Sequence, residues 1–225
     1  MKLGKFKYLD VIIDNDNSWI WNYIPILEEI LSLYAYKVRI FRKSMDIKNG
    51  DILFILSCDK ILKENDLNKH KHNIVIHASD LPKGKGWSPW SWEVESGVNK
   101  LSLTLFEAKL ELDSGEWYFK DNILLQGTEL IDDVRKLLAL KEFEMINKYL
   151  TEYPLKTKKQ IGEETYYNKR TSKNQELDIN KSIHEQFNLL RVCDNENYPA
   201  HFYLSDDENE YKYTVKIYRE KINKV

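Results

Sequence analysis

Residues 8–33, YLDVIIDNDNSWIWNYIPILEEILSL, change their hydrophobic period half-way along. The stretch 8–14 is a β-branched run that ends in polar residues, the pattern of a buried strand. Asn15 to Ser18 supply turn and capping side chains. From Trp19 to Leu33 the apolar residues Ile20, Tyr23, Ile24, Leu27, Ile30 and Leu31 recur at helical spacing. Pro25 falls at a kink or late in the first turn. Working outward, 37–42 (KVRIFR), 51–56 (DILFIL, entered through Asn49-Gly50), 73–77 (NIVIH) and 101–108 (LSLTLFEA) read as further strands. Ser88-Pro89 reads as an N-cap followed by proline at the first helical position, with a stop at Gly97. A helix over 129–150 has Leu130, Val134, Leu137, Leu138 and Phe143 on its buried side.

Strand, helix, strand, then strands interleaved with helices predict an α/β fold. The expected architecture is an open, mostly parallel Rossmann-like sheet with helices on both faces. In such sheets ligands lie beyond the carboxyl ends of the strands, near a switch in strand order. The turns at 15–18, 57–62, 79–87 and 110–115 are therefore where a site is expected. A break comes near Pro154, and the polar stretch 156–160 reads as a linker. Beyond it, 179–192 suggests a helix, and 200–204 with 211–218 a hairpin across an acidic loop. The expected division is a Rossmann-like catalytic domain over 1–153 and a small C-terminal extension, helix plus hairpin, over 154–225.

Composition narrows the function classes. With 34 basic and 36 acidic residues in 225, the net charge is −2, so there is no uniform basic field for nucleic acid. No apolar run approaches the roughly 20 residues that span a bilayer, so no membrane partner is expected. Met1 to Asp10 carry Lys2, Lys5 and Lys7 with no apolar core behind them, unlike a signal peptide. Cys58 and Cys193 make neither a disulfide framework nor a CxxC pair. These bounds predict a soluble cytoplasmic protein. Six Trp and fourteen Tyr suggest flat surfaces for rings or sugars.

Two stretches carry chemistry. The first, 77–92 (HASDLPKGKGWSPWSW), packs a His, two Lys, two Gly and three Trp around the end of a strand. A capping histidine under an aromatic-packed loop explains it equally well. The second, 105–115 (LFEAKLELDSG), runs a strand into Asp113, where Asp-Ser-Gly alone is ordinary turn chemistry.

Together, His77, Ser79, Leu81-Pro82 and the downstream Leu112-Asp113-Ser114-Gly115 resemble the formyltransferase family that uses 10-formyltetrahydrofolate. That family includes glycinamide ribonucleotide transformylase, methionyl-tRNA formyltransferase and the sugar N-formyltransferases. The tail anchors Arg170-Thr171, Leu177-Asp178-Ile179 and Tyr198-Pro199-Ala200 resemble the sugar enzymes. The details GKGWSPWSW and DNDNSW look most like the subgroup acting on a UDP-linked 4-amino sugar of the pseudaminic acid pathway.

The resemblance implies a sugar-nucleotide N-formyltransferase, acting on a small-molecule nucleotide sugar as a homodimer. His77 and Asp113 would be catalytic, with His77 donating to the carbonyl oxygen or relaying a proton and Asp113 orienting it. Lys60, Ile61, Leu62, Lys109, Leu110 and Glu111 would bind the folate. Asn17, Ser18, Trp19, Ser79, Lys83, Gly86 and Trp87 would bind the acceptor, with Lys85 a second candidate for its diphosphate. Trp87, Trp90 and Trp92 are candidates for ring stacking, at least one of them more naturally core. No metal is called for, and Cys58 would line the folate loop rather than act as a nucleophile.

One departure stands out. The family's catalytic Asn lies two residues before the His, where this chain has Val75. Asn73 shares that strand face but lies ~13 Å from His77. The substitutes are the Ser79 side chain or backbone N–H groups of 79–83. Two alternatives follow: a degenerate sugar-nucleotide-binding module, and a methionyl-tRNA formyltransferase-like enzyme. The second predicts a basic C-terminal region, whereas 206–210 (DDENE) is acidic.

Overall fold

The change of period after residue 14 is where the first strand gives way to helix. In the computed structural model, which describes residues 4–222, β1 spans Phe6–Ile12. Met1 to Leu3, with Lys2 of the leader reading, lie outside the described residues. A 3-10 turn, Trp19–Tyr23, follows Ser18, whose hydroxyl accepts the Ile20 N–H. Helix α1, Ile24–Ser32, starts with Pro25 in its first turn, where a missing N–H costs no hydrogen bond. The single helix expected over 19–33 is thus two pieces, divided at the residue best suited to begin one.

The remaining elements are β2 (Ala35–Phe41), β3 (Gly50–Ile55), α2 (Glu64–Leu67), β4 (His70–His77), β5 (Lys85–Gly86) and α3 (Pro89–Glu95). Then come β6 (Lys100–Glu107), β7 (Trp117–Leu124), α4 (Ile131–Glu152), β8 (Tyr166–Tyr167), α5 (Phe187–Arg191), β9 (Ala200–Ser205) and β10 (Glu210–Val215).

Six strands form one sheet in the order β2-β1-β3-β4-β6-β7. Strands β2, β1, β3 and β4 are parallel, while β6 runs antiparallel to β4 and β7 to β6. The mostly parallel sheet therefore carries an antiparallel end. Strand β7 has no counterpart in the sequence reading because Lys120, Asp121 and Asn122 interrupt its apolar alternation. The chain leaves β1 for β2 on one side and returns to β3 on the other, so a switch point lies beyond the carboxyl end of β1.

Alternation along the strands sets the core. Leu9, Val11, Ile52, Phe54, Ile74 and Leu103 join α1, α3 and α4 in the main apolar cluster. The opposite pleat of β1 and β3 gives Ile12 and Leu53 to a smaller cluster with Phe41, Ile47 and Leu62. Helices are thus unevenly shared: Leu67 of the four-residue α2 is the helical residue packed on the small cluster.

Three further expectations change. Ser88 precedes the helix but takes a left-handed backbone (φ 46°) and makes no side-chain cap. The stretch 156–160 is not a free linker. Lys158 and Trp117 exchange both backbone hydrogen bonds (2.9 and 2.8 Å), Thr157 donates to Glu116 (2.5 Å), and β8 pairs with β5. The helix expected over 179–192 shrinks to α5. Asp178 and Glu185 accept the nearby N–H groups of Asn180 and Ser182, and such local bonds compete with helix. The hairpin β9–β10 forms around its acidic loop. Among the described residues no helix is long and apolar enough to cross a membrane.

Candidate active site

Beyond the carboxyl ends of β3 and β4 lies a cavity of about 610 Å³, within the range of small-molecule sites. Its walls come from the turn after β1 (Trp19, Ile20), the loop after β3 (57–62), the end of β4 (75–78), the approach to α3 (86–90) and the loop after β6 (106–113). Ile55, Leu62, Leu67 and Phe106 give it apolar surface.

His77 is the last residue of β4 and Asp113 sits in the β6–β7 loop. His77 Nε2 lies 2.8 Å from the Gly84 carbonyl. A carbonyl only accepts, so Nε2 carries a proton, and Nδ1 holds the lone pair of the neutral ring. Asp113 Oδ2 is 3.7 Å from the same Nε2 and accepts the Gly86 N–H at 2.9 Å. Both side chains are largely buried, 13% and 9% exposed.

The loop around Asp113 is tied down from several directions. Asp113 has φ +50°, a left-handed conformation that Asp tolerates better than most residues. Gln160 Nε2 donates to the carbonyls of Asp113 and Gly115, both at 2.8 Å. Gly115 lies so near the end of β6 that a Cβ there would stand 1.5 Å from the Glu107 carbonyl oxygen. On the facing side, Gly86 has φ +97°, and a Cβ would meet the Tyr167 carbonyl oxygen at 2.4 Å. Thr104 of β6 steadies the loop after β4, donating to Ser79 O (2.7 Å) and accepting from Leu81 N.

The loop 57–62 hangs from Asp14, whose carboxylate accepts the backbone N–H groups of Asp59 (2.6 Å) and Lys60 (3.1 Å). The sequence reading gave Asp14 no part in this loop; its sign was only a carboxylate immediately before a turn. Lys60, Ile61 and Leu62 all line the cavity. Cys58 lines it too, and burial, reinforced by the nearby Asp14, pushes its thiol up to about 12. It therefore stays a neutral wall at physiological pH. Lys109 and Glu111 line the cavity, whereas Leu110 is exposed outside it.

The acceptor residues read from the sequence divide. Trp19, Gly86 and Trp87 line the cavity. Asn17 is exposed and outside the lining, its N–H turned to Asn15 Oδ1. Ser18 is buried with its hydroxyl 2.7 Å from that of Ser57. The turn it opens is a five-residue 3-10 segment, a weaker N-terminal dipole than the long helix expected there. Ser79 is wholly buried outside the lining with its hydroxyl unpartnered, so it does not reach the cavity in place of the missing Asn. Lys83 is exposed outside the lining, and Lys85 is buried in an ion pair with Glu164 (2.7 Å). Trp90 is core and lines the cavity, while Trp92 stacks on Tyr167 (6.2 Å between centroids, 7° between planes). Trp87 keeps a ring on the cavity, with Lys169 Nζ 4.4 Å from its centroid. Val75 lines the cavity without a polar atom, and Asn73 is spent elsewhere, donating to Leu67 O at 3.0 Å.

Sequence reading missed Glu142. It lies on α4 in a four-residue ladder with Val134, Leu138, Ile146 and Leu150, all buried. A glutamate inside an aliphatic ladder was the available signal. Glu142 lines the cavity, and burial alone pushes its carboxyl up to about 8 from 4.5. The folded chain thus holds a proton that the unfolded chain releases, and stability falls as pH rises from about 4.5 to 8. Glu142→Leu is expected to raise Tm at pH 8.5, by an amount equivalent to a few kcal/mol, and much less at pH 5. Melting curves at the two pH values check this. An equal gain at both would show that the carboxyl does not titrate in this window.

No protein-family model matches the chain. Curated relatives do. The methionyl-tRNA formyltransferase of Clostridium beijerinckii is 26% identical over 181 residues, 77% of this chain and 57% of that protein. That of Thermotoga neapolitana is 34% identical over 103 residues, 45% of this chain and 33% of its own length. These curated relatives are formyltransferases. The chain spans about half or less of the length of these formyltransferase relatives. Among solved structures, methionyl-tRNA formyltransferase from Clostridium thermocellum superposes with TM-score 0.75 at 18% identity, covering 94% of this chain and 99% of that one. A 4-N formyltransferase from Francisella tularensis gives 0.73 at 18% identity, covering 99% and 100%. HypX from Aquifex aeolicus in complex with tetrahydrofolic acid gives 0.70 at 12% identity, covering 88% and 36%. At these identities the superpositions speak for the fold, a formyltransferase fold.

Proposed function

We propose that the chain is a sugar-nucleotide N-formyltransferase, moving a formyl group from 10-formyltetrahydrofolate to the primary amine of a nucleotide-linked amino sugar. The observation that carries the reading is the His77–Asp113 pair, 3.7 Å apart on the wall of a cavity at the switch point of the sheet. Two partners fit that cavity. The 57–62 loop and the end of β6 offer a flat ring apolar wall, through Ile61, Leu62 and Phe106, beside the 109–113 loop. Trp19 and Trp87 offer stacking faces to a base or sugar.

When bound, 10-formyltetrahydrofolate supplies an activated formyl carbon. With Nε2–H held by Gly84 O, the Nδ1 lone pair of His77 is the base that takes a proton from the attacking amine, and the Nδ1–H so formed is the donor to the carbonyl oxygen where negative charge grows. Asp113 holds the ring in place and stabilises its protonated form as the amine gives up a proton. The burial of both side chains strengthens both effects. Removing the Asp14 clamp should act on the donor alone. Asp14→Ala is expected to raise the donor KM about tenfold, from two lost charge-assisted bonds to a part-exposed loop, with kcat within about threefold. Initial-rate kinetics at varied donor check this, and an unchanged donor KM would detach the 57–62 loop from donor binding.

A methionyl-tRNA acceptor is the second reading, favoured by the names of the curated relatives. Against it stand the near-neutral charge and the acidic turn between β9 and β10. The test is mass spectrometry after incubating the protein with 10-formyltetrahydrofolate and a panel of UDP- and dTDP-linked amino sugars. A gain of one CO on a panel member supports the proposal. Formylation of charged initiator tRNA and of no sugar would replace it. Binding without mass gain would make the chain a degenerate module, with Val75 as the cause to test.

A further inference from the structure

The cavity wall carries four carboxylates, Asp59, Glu111, Asp113 and Glu142. Asp59 and Glu111 are exposed at its rim, and Asp113 is engaged by the Gly86 N–H. Glu142 differs from all three. It is 8% exposed, and among the described residues it meets no hydrogen-bond partner and no opposite charge. Its ladder neighbours on α4 are aliphatic, so an aliphatic residue at 142 would complete the core and avoid the cost of burying an unpaired carboxyl. A group retained at such cost, on a cavity wall, calls for a partner that the protein does not supply.

Its position says which partner. Helix α4 packs against the 3-10 turn Trp19–Tyr23, and Glu142 lines the cavity together with Trp19 and Ile20. This is the end of the cleft assigned above to the acceptor, away in sequence from the loops assigned to the donor. A buried carboxyl can pass its proton to an amine, and the carboxylate–ammonium pair so formed is charge-assisted, which a hydroxyl, far too weak a base to take the proton, cannot match. Val75 contributes no polar atom of its own to the cavity.

We propose that Glu142 binds the primary amine of the acceptor and makes the cavity select an amino sugar over its hydroxy counterpart. The assignment rests on reading the cleft as an amino-sugar N-formyltransferase site. Titration calorimetry tests it with a UDP-linked 4-amino-4,6-dideoxyhexose, the matching 4-hydroxy sugar, and tetrahydrofolate as a probe of folding and of the donor end. The wild-type chain is expected to bind the amino sugar about tenfold or more tighter than the hydroxy sugar. Glu142→Gln should bring the two within about twofold while leaving the hydroxy-sugar and tetrahydrofolate Kd values unchanged. Glu142→Asp, which keeps the carboxyl, should retain part of the preference. A Glu142→Gln protein that keeps the full preference, or that loses affinity equally for both sugars, would overturn the role of Glu142 and leave the formyltransferase reading standing. A wild-type chain that binds tetrahydrofolate but neither sugar would overturn the acceptor reading, and this assignment with it.

Discussion

His77→Ala is expected to lower kcat about 10³-fold while moving the KM of either substrate less than threefold. The loss combines a donor to the developing oxyanion, worth about 10²–10³ in rate, with a proton relay of similar size, and the two overlap in one side chain. Little stability should go with it. The ring sits at the end of β4, and its one strong bond is to Gly84 O. A Tm within a few degrees of wild type would locate the defect in the chemistry. Asp113→Ala should show a smaller loss of kcat, because the histidine donor survives without its orienting carboxylate. It should also show some loss of order around Gly86, whose N–H loses its acceptor. Activity within tenfold of wild type in His77→Ala would remove the pair from the mechanism.

Gly115→Ala is expected to cost more than 100-fold in kcat although residue 115 touches no substrate in this account. The new Cβ would lie 1.5 Å from the Glu107 carbonyl oxygen and 2.7 Å from its carbon. Both are backbone atoms at the end of β6, so no side-chain rotation relieves the clash. The loop must lift by about 2 Å to reach ordinary contact. Asp113 is two residues away and would leave the Gly86 N–H, and the Gln160 clamp would open with it. A misplacement of about 1 Å at a reacting centre costs about 10²-fold, and the strain should also lower Tm by several degrees. Ser114→Ala is the control, since it removes one bond to Glu111 O on a half-buried side chain and should be nearly silent. Near-wild-type turnover in Gly115→Ala would show that the loop is free to move without consequence.

What could be read from the sequence follows from physical range. The strand and helix around residues 8–33 announce themselves through their period; the same pattern locates the strand that His77 ends and the strand that runs into the Asp113 loop. Strand β7 hides because three consecutive polar residues break its alternation, although its pairing with β6 is continuous through them. The two-residue strands β5 and β8 have no period to read. They hold Gly86 against Tyr167 through backbone bonds between residues about eighty apart, which no local pattern encodes. The return of 156–160 to Glu116 and Trp117 is of the same kind, and a run of lysines there looks like solvent-exposed chain. Lys83 and Lys85 show the limit for site residues. Their charge suggested phosphate, but Lys85 is sealed by Glu164 and Lys83 is outside the cavity. Glu142 lay in view as a glutamate in an aliphatic ladder, and only the cavity gives that oddity a meaning.

The most direct test follows one carbon. Donor carrying a ¹³C-formyl group is incubated with a UDP-linked 4-amino sugar and either the wild-type chain or His77→Ala, and the sugar nucleotide is examined by carbon NMR. A formamide signal on the sugar with the wild-type chain, absent with His77→Ala over the same hours, is the predicted result. Label that reaches the sugar equally well with both proteins, or with neither, would contradict formyl transfer at the His77–Asp113 pair.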